Sequence, residues 1–264
     1  MPVIRIDDPA DPRLDDFRAL ADVRRLTARR LFLAEGRLVV GRLLRESPFG
    51  VEAVLLNEAA HRALASDLAQ RADVAVFVVP AAVLEPLTGF HIHRGCLATG
   101  RRPAGRTMAD LLAAGARRLL VLDGVSNPDN VGGLFRTAHA FGIDAVVVGP
   151  GTGDPLYRKA IRVSSAASLI VPFGSVTWPE GLNALRAAGL PVLALTPAGS
   201  ETLGEARARL GRPGAFAVVV GSEGHGLSQE MLAWADARIR IPIDPRADSL
   251  NVTVAAGIAL HALR

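Results

Sequence analysis

Lysine is almost missing from this chain: of its 30 Lys and Arg residues only Lys159 is a lysine. Its formal charge of +4 therefore rests on arginine. Arginine favours planar, bidentate contact with phosphate over a point charge, so the bias fits a nucleic-acid partner; it fits equally a genome that prefers arginine codons, and charge alone leaves both open. Cysteine is equally scarce. The single Cys96 excludes an intrachain disulfide framework and a cysteine-based zinc cluster. Long apolar runs are lacking as well, with runs such as "LLVL", "AVVVG" and "FAVVVG" far short of the ~20 residues that a membrane span needs. "MPVIRIDDPADPRLDD" is charged where a signal peptide would be apolar, so a cytoplasmic location without membrane attachment is expected.

What remains is a globular composition, 50% hydrophobic and 21% charged over 264 residues, enough for one large or two medium domains with a substantial core. The texture changes near residue 100. Ahead of it, "LFLAEGRLVVGRLLR" has apolar residues at helical spacing, "VEAVLLN" and "VAVFVVP" read as strands and "AAHRALASDLAQRA" as a helix, which makes a small α/β unit. "TGRRPAGRTMADLL" reads as a linker. Beyond it strands and helices alternate: "RRLLVLDGV", "AVVVGP", "LIVPF", "PVLALTP", "AFAVVVGSE" and "ARIRIPI" as strands, with helices between them and a closing helix. Continuous apolar strands separated by helices predict a parallel sheet covered on both faces. The expected domains are 1–105, with the linker, and 106–264.

Ligands of such sheets sit at the carboxyl ends of the strands. Three of those ends, "LDGVSNPDNVGGLFR", "VVVGSEGHGLS" and "IPIDPRADSLN", are rich in glycine and polar residues, and three in one domain point to a shared site. Familiar nucleotide signatures fail. Lys159 stands between Arg158 and Ala160, which is no Walker loop, and the glycines of "VGPGTGDP", at 149, 151 and 153, miss the dinucleotide spacing, which disfavours a nicotinamide oxidoreductase. Ser222 in "GSEGHG" is not a nucleophile elbow. His91 and His93 lack the set and spacing of partners that a metal centre needs, so no metal site is expected. The segment "DSLNVTVAAGIAL", 248–260, opens the closing helix with more polarity than a cap requires: Asp248, Ser249 and Asn251 all suit a helix mouth, where one would do.

These three loops resemble, in order and spacing, the three motifs of the SpoU-type (TrmH-like) RNA 2'-O-ribose methyltransferases of the SPOUT superfamily. N-P-x-N-x-G-x-x-x-R-T-A begins at Asn127, G-x-E-x-x-G-L at Gly221 and S-L-N-V at Ser249. Residues 29–99 also resemble the ribosomal-protein-like RNA-binding domain that many members carry, with His93-Arg94-Gly95 where His-Gln-Gly is common. "DPRADSLN" departs from the more usual Gly-x-Val-Glu-Ser-Leu-Asn.

The resemblance implies an α/β protein whose parallel-sheet SPOUT domain ends in a deep trefoil knot, which general rules of chain connection would have argued against. It implies S-adenosyl-L-methionine as cofactor, held by Leu195, Thr196, Gly221, Ser222, Glu223, Gly224, Ile241, Ile243, Ser249, Leu250 and Asn251. The catalytic positions it implies are Asn130, Arg136, Glu223, Ser249 and Asn251. Ser249 and Asn251 would then serve both as helix-start residues and as hydrogen-bonding groups at the target ribose, with Glu223 orienting Asn130 or Asn251. RNA is the implied substrate, ribosomal RNA ahead of transfer RNA, and a homodimer the implied assembly. A non-catalytic RNA-binding protein with the same knot is the alternative.

Overall fold

The computed structural model describes residues 3–18, 26, 28–88, 92, 95–211 and 214–264. It divides into two compact units, 1–104 with 156–170, and 105–155 with 171–264. In chain order the first unit contributes β1 (Val3–Arg5), a 3-10 turn (Pro12–Phe17), β2 (Leu31–Glu35), α1 (Arg37–Glu46), β3 (Val51–Leu56), α2 (Glu58–Ala69), β4 (Ala75–Val78), α3 (Ala81–Thr88) and β5 (Cys96–Arg101). The chain enters the second unit with α4 (Met108–Ala113), β6 (Arg118–Asp123), α5 (Pro128–Ala140) and β7 (Ala145–Val148). It returns to the first for α6 (Arg158–Val163) and a 3-10 turn (Ala167–Leu169). The second unit is completed by β8 (Phe173–Ser175), α7 (Glu180–Ala187), β9 (Val192–Leu195), β10 (Glu201–Thr202), α8 (Leu203–Leu210), β11 (Phe216–Gly221), α9 (Gln229–Trp234), β12 (Ala237–Arg240) and α10 (Val252–Leu263).

The first unit is a mixed five-stranded sheet, ordered β1-β4-β3-β5-β2, with β5 antiparallel to both its neighbours. Leu31–Glu35, expected as the start of a helix, is a strand with all five residues buried. Its apolar residues fit either periodicity, and burial on both faces decides for the strand. Gly36, at φ 94, then turns the chain into α1. The linker is shorter than expected, because β5 runs to Arg101 and a Thr107–Asp110 capping box opens α4. Cys96 is fully buried in β5, and burial pushes its thiol pKa up.

A division at 105/106 does not describe residues 156–170. This segment belongs to the first unit, where α6 packs on β2. Arg42 donates to the Ser165 carbonyl at 2.8 Å, Ser47 Oγ to the Leu169 carbonyl at 2.7 Å, and Arg158 lies 3.6 Å from the buried Glu35 carboxylate. Helical periodicity indicates that Ala160 and Ile161 are covered, not by which sheet.

The second unit holds a seven-stranded sheet ordered β10-β12-β9-β11-β6-β7-β8, and every pairing in it is parallel. Its central strands β6 and β11 are continuous apolar runs with Leu119, Leu120, Val121, Val218 and Val219 fully buried, as a sheet covered on both faces requires. The run "LIVPF" is not a strand. Pro172 lacks an N–H for a ladder, and β8 starts only at Phe173. Helix α8 is missed by apolar periodicity, although its Thr202–Glu205 capping box stands in the sequence. Helix α5 starts with Pro128 behind an Asn127 cap that accepts from Asp129 N at 2.9 Å, and it packs on α10. The approach is close: a Cβ on Gly133 would sit 2.7 Å from Thr253 Oγ1.

Residues 156–170 set an expected outcome for truncation. A chain beginning at residue 106 leaves Ala160, Ile161 and Leu169, buried in the intact protein, without their cover, and burial of each large side chain is worth about 1.5–3 kcal/mol. Calorimetry should give 106–264 a lower Tm than the second-unit transition of the full chain, with increased binding of an apolar dye. An unchanged Tm would show that 156–170 contributes nothing through this packing.

Candidate active site at the carboxyl ends of the strands

The carboxyl ends of β9, β11 and β12 and the mouth of α10 enclose a cavity of about 810 Å³. Leu195 and Thr196, where β9 ends, form part of its wall. Gly221 ends β11 and Ser222, Glu223 and Gly224 follow it, Ile241 and Ile243 follow β12, and Ser249, Leu250 and Asn251 lead into α10; all of them line the same space. Sequence reasoning missed His225, Asp248 and Val252, which also line it. They lie inside or beside the motifs, where only the fold distinguishes a wall position from a spacer.

Glycine spacing in the second loop has a geometric cause. A Cβ on Gly221 would overlap the backbone of Gly226, because the loop folds back on its own strand: Ser222 N donates to the Gly226 carbonyl at 3.1 Å and Gly226 N returns the bond at 3.0 Å. Gly224 at φ 95 and Gly226 at φ 68 occupy backbone regions that side chains rarely adopt. The result is a small hairpin whose backbone faces the cavity.

Asn251 joins the three motifs. Its Oδ1 accepts from Thr253 N at 2.9 Å and so caps α10, while its Nδ2 donates to Glu223 Oε1 at 2.9 Å and to Asn130 Oδ1 at 3.1 Å. Asn130 is buried in the first turn of α5, at 6% exposure. Glu223, Asn130 and Asn251 are thereby brought together, with Ser249 exposed on the same cavity wall. Arg136 stands elsewhere. Six residues further along α5 it faces solvent, does not line the cavity, and has no hydrogen-bond or ion-pair partner among the described residues. The Asp244-Pro245-Arg246 start of the departing stretch "DPRADSLN" closes on itself: Arg246 N and its guanidinium donate to Asp244 at 2.9–3.0 Å, and that guanidinium holds the Asp244 carboxyl below the usual carboxylate range. The chain beyond it still delivers Asp248 to Asn251 to the cavity. His91 and His93 lie outside the described residues, among which no group of three or more His, Cys, Asp or Glu could hold a metal ion.

The family model of the SpoU rRNA methylase family matches residues 117–261, more than half of the chain and all three motifs. The chain belongs to that family. It is 41% identical over 260 residues to an uncharacterised tRNA/rRNA methyltransferase of Mycobacterium bovis, covering 96% of this chain and 89% of that one. Over another 260-residue alignment it is 28% identical to the 23S rRNA (guanosine(2553)-2'-O)-methyltransferase RlmP of Bacillus subtilis, covering 98% and 99%. The crystal structure of an AdoMet-bound rRNA methyltransferase from Sinorhizobium meliloti, 25% identical, superposes with a TM-score of 0.81 over 99% of this chain and 97% of that one. As a SpoU-family member the protein has an α/β fold with a parallel-sheet core; its second and third motifs line the cavity, and the first is joined to them by the bond between Asn130 and Asn251.

The Asn251 contacts predict a specific double-mutant result. Asn251→Ala removes a cap and two side-chain bonds and should cost about 1–2 kcal/mol in chemical denaturation. Asn251→Asp keeps the capping oxygen but turns a carboxylate toward Glu223, so Glu223→Gln should recover stability when combined with Asn251→Asp and not in the wild type. Additive effects of the two changes would mean that the side chains do not interact.

Proposed function

We propose that this SpoU-family protein is an S-adenosyl-L-methionine-dependent RNA 2'-O-ribose methyltransferase that acts on ribosomal RNA in the cytoplasm. The observation that carries the reading is the junction of Asn130, Glu223 and Asn251 at the wall of a strand-end cavity. The named activity of the Bacillus subtilis relative and the bound AdoMet of the Sinorhizobium meliloti structure support it.

The cavity fits the cofactor chemically. Leu195, Ile241 and Ile243 offer apolar walls, the hairpin 221–226 offers backbone donors and acceptors, and the Glu223 and Asp248 carboxylates suit a cationic ligand. Bound there, S-adenosyl-L-methionine supplies an activated methyl group on a sulfonium. The protein's task is then to orient the ribose hydroxyl and exclude wrong geometries, worth several kcal/mol of the barrier. Asn130, Ser249 and Asn251 supply polar groups for that hydroxyl, and Glu223 fixes the Asn251 amide so that its bonding pattern is set before RNA arrives. A guanidinium, with a pKa above ~12, is a poor base. Arg136, exposed on α5 and free of protein partners among the described residues, instead holds the phosphate beside the target ribose.

The same reading extends to the assembly. Support for a trefoil knot is that α10, the last element, packs among α5, α8, β9 and β11. Support for a homodimer is that Val254 and Ile258, one turn apart on α10, are 51% and 40% exposed, a solvated apolar stripe beside the small Gly257 that a second copy would cover. For the first unit as an RNA grip, the support is that Arg29, Arg30, Arg101 and Arg102 gather where β2 begins and β5 ends, the kind of basic cluster that contacts phosphates.

Transfer of labelled methyl groups to ribosomal and transfer RNA from a strain lacking the protein tests the activity; labelling of transfer RNA alone would move the substrate, and labelling of neither would leave an RNA-binding protein. Within the active case, Arg136→Ala should lower single-turnover methylation by ~10²-fold or more, with S-adenosyl-L-methionine affinity near wild type by calorimetry. Arg136→Lys keeps the charge without the planar fork and should recover part of the rate. Normal turnover by the alanine variant would remove Arg136 from the mechanism.

A further inference from the structure

Asp123 ends β6 and is buried, at 6% exposure, just outside the cavity. Both carboxylate oxygens are engaged: Oδ2 accepts from Ser228 N at 2.9 Å and Oδ1 accepts from Trp178 Nε1 at 3.2 Å. In the β6–β11 ladder the residue paired with Asp123 is Gly221. The hairpin that faces the cavity therefore leaves the sheet opposite Asp123 and returns, at Ser228, to the Asp123 carboxylate. Ser228 is also the cap of α9, its Oγ accepting from Met231 N at 3.2 Å, so the same bond fixes where that helix starts. Between its ends the hairpin has its own Ser222–Gly226 pair and the Glu223–Asn251 bond.

Trp178 extends the arrangement to the neighbouring strand end. Its ring lies where a Cβ on Gly149 would come within 3.1 Å, and that same Cβ would be 2.7 Å from the Leu122 carbonyl. Gly149 is the first glycine of "VGPGTGDP", the stretch that fails as a dinucleotide fingerprint. Its absent side chain makes room for the indole that reaches Asp123.

We propose that Asp123 is a positioning residue for the cofactor: by anchoring the returning end of the hairpin through Ser228 N, opposite the point where the chain leaves β11, and by being held itself by Trp178, it sets the cavity wall in its binding geometry. The inference rests on the reading of the cavity as the cofactor's site. A carboxylate suits the position because it presents two acceptors to two N–H donors. An amide of the same shape must turn an NH₂ group toward one of them, leaving a buried donor without an acceptor. A wall held through hydrogen bonds one layer behind the ligand is sensitive to such a change even where the ligand never touches the residue.

The test uses the full chain with S-adenosylhomocysteine as probe. Asp123→Asn should raise its Kd by about 10-fold in calorimetry, raise KM for S-adenosyl-L-methionine by a similar factor while kcat at saturation changes little, and leave RNA affinity unaltered. Hydrogen exchange should quicken at 222–228 and not in the β6–β11 ladder, and the change in Trp178 emission on probe binding, read in a Trp234→Phe background, should be lost. Ser228→Pro provides a second route: the φ of −62 at Ser228 is one proline adopts, so the change deletes the N–H donor while Asp123 stays, and Ser228→Ala, which loses only the Oγ cap of the helix, is its control. The proline variant should weaken probe binding in the same way. A folded Asp123→Asn with unchanged probe affinity overturns the proposal, and so does failure of both variants to fold, which would make Asp123 a support of the sheet alone. A wild-type chain that binds no S-adenosylhomocysteine would instead overturn the cofactor reading, and this inference with it.

Discussion

The second unit is organised around what a single carboxamide can do that no other short side chain can. Asn251 must accept from the first N–H groups of α10 and at the same time donate to two acceptors, Glu223 and Asn130. Serine has one proton to give, aspartate none, and both would cap the helix equally well. The donated bonds bridge 28 and 121 positions of sequence, so the residue that starts the last helix also registers that helix against the hairpin after β11 and against α5. Each bond is worth only about 0.5–1.5 kcal/mol. Their value to the site is directional: an amide with both ends occupied cannot flip, and the polar groups at the cavity wall keep one arrangement.

A parallel sheet makes this convergence possible. All seven strands of the second unit point the same way, so β9, β11 and β12 release their chains at one edge, while both faces of the sheet are occupied by apolar packing. Loops crowded at one edge must pass close to one another, and glycine is the residue that allows it. At Gly221 a side chain would meet the returning hairpin, and at Gly199 it would lie 2.7 Å from Arg240 N. The glycines of the second motif thus answer a packing constraint and, in doing so, leave backbone polar groups uncovered on the side where a ligand would lie.

Much of this was legible in the chain because it is local. Continuous apolar runs gave β6, β7, β9 and β11, and the polar residues at the mouths of α5 and α10 marked where those helices start. The surplus polarity of "DSLN" pointed to a second duty for Asn251, and the structure gives it one in the bonds to Glu223 and Asn130. Tertiary choices were not legible. Leu31–Glu35 carries a pattern that a buried strand and a helix share, and only its cover on both faces separates them. The segment 156–170 reads as an ordinary helix of the second unit, yet Arg42, Ser47 and Glu35, more than 100 positions earlier, hold it in the first. Asp123 carried no signal either, since its partner Ser228 is 105 positions away and an acidic residue at a strand end is common.

Helix α5 shows how one rigid element can serve two separate tasks. Asn130 and Arg136 lie six residues apart, about 9 Å along the axis and a third of a turn apart around it, so one is buried against Asn251 while the other faces solvent. The Asn127 cap and Pro128 fix where the helix begins, and the close contact at Gly133 fixes its height against α10. Neither group can move relative to the other without unwinding the helix. If Arg136 holds a phosphate and Asn130 helps to hold the amide at the ribose, the distance between the two is set by helix geometry and not by a loop. On that proposed division, an arginine with no partner among the described residues could stand beyond the cavity wall and still serve the same chemistry, because its position is dictated by the buried end of its own helix.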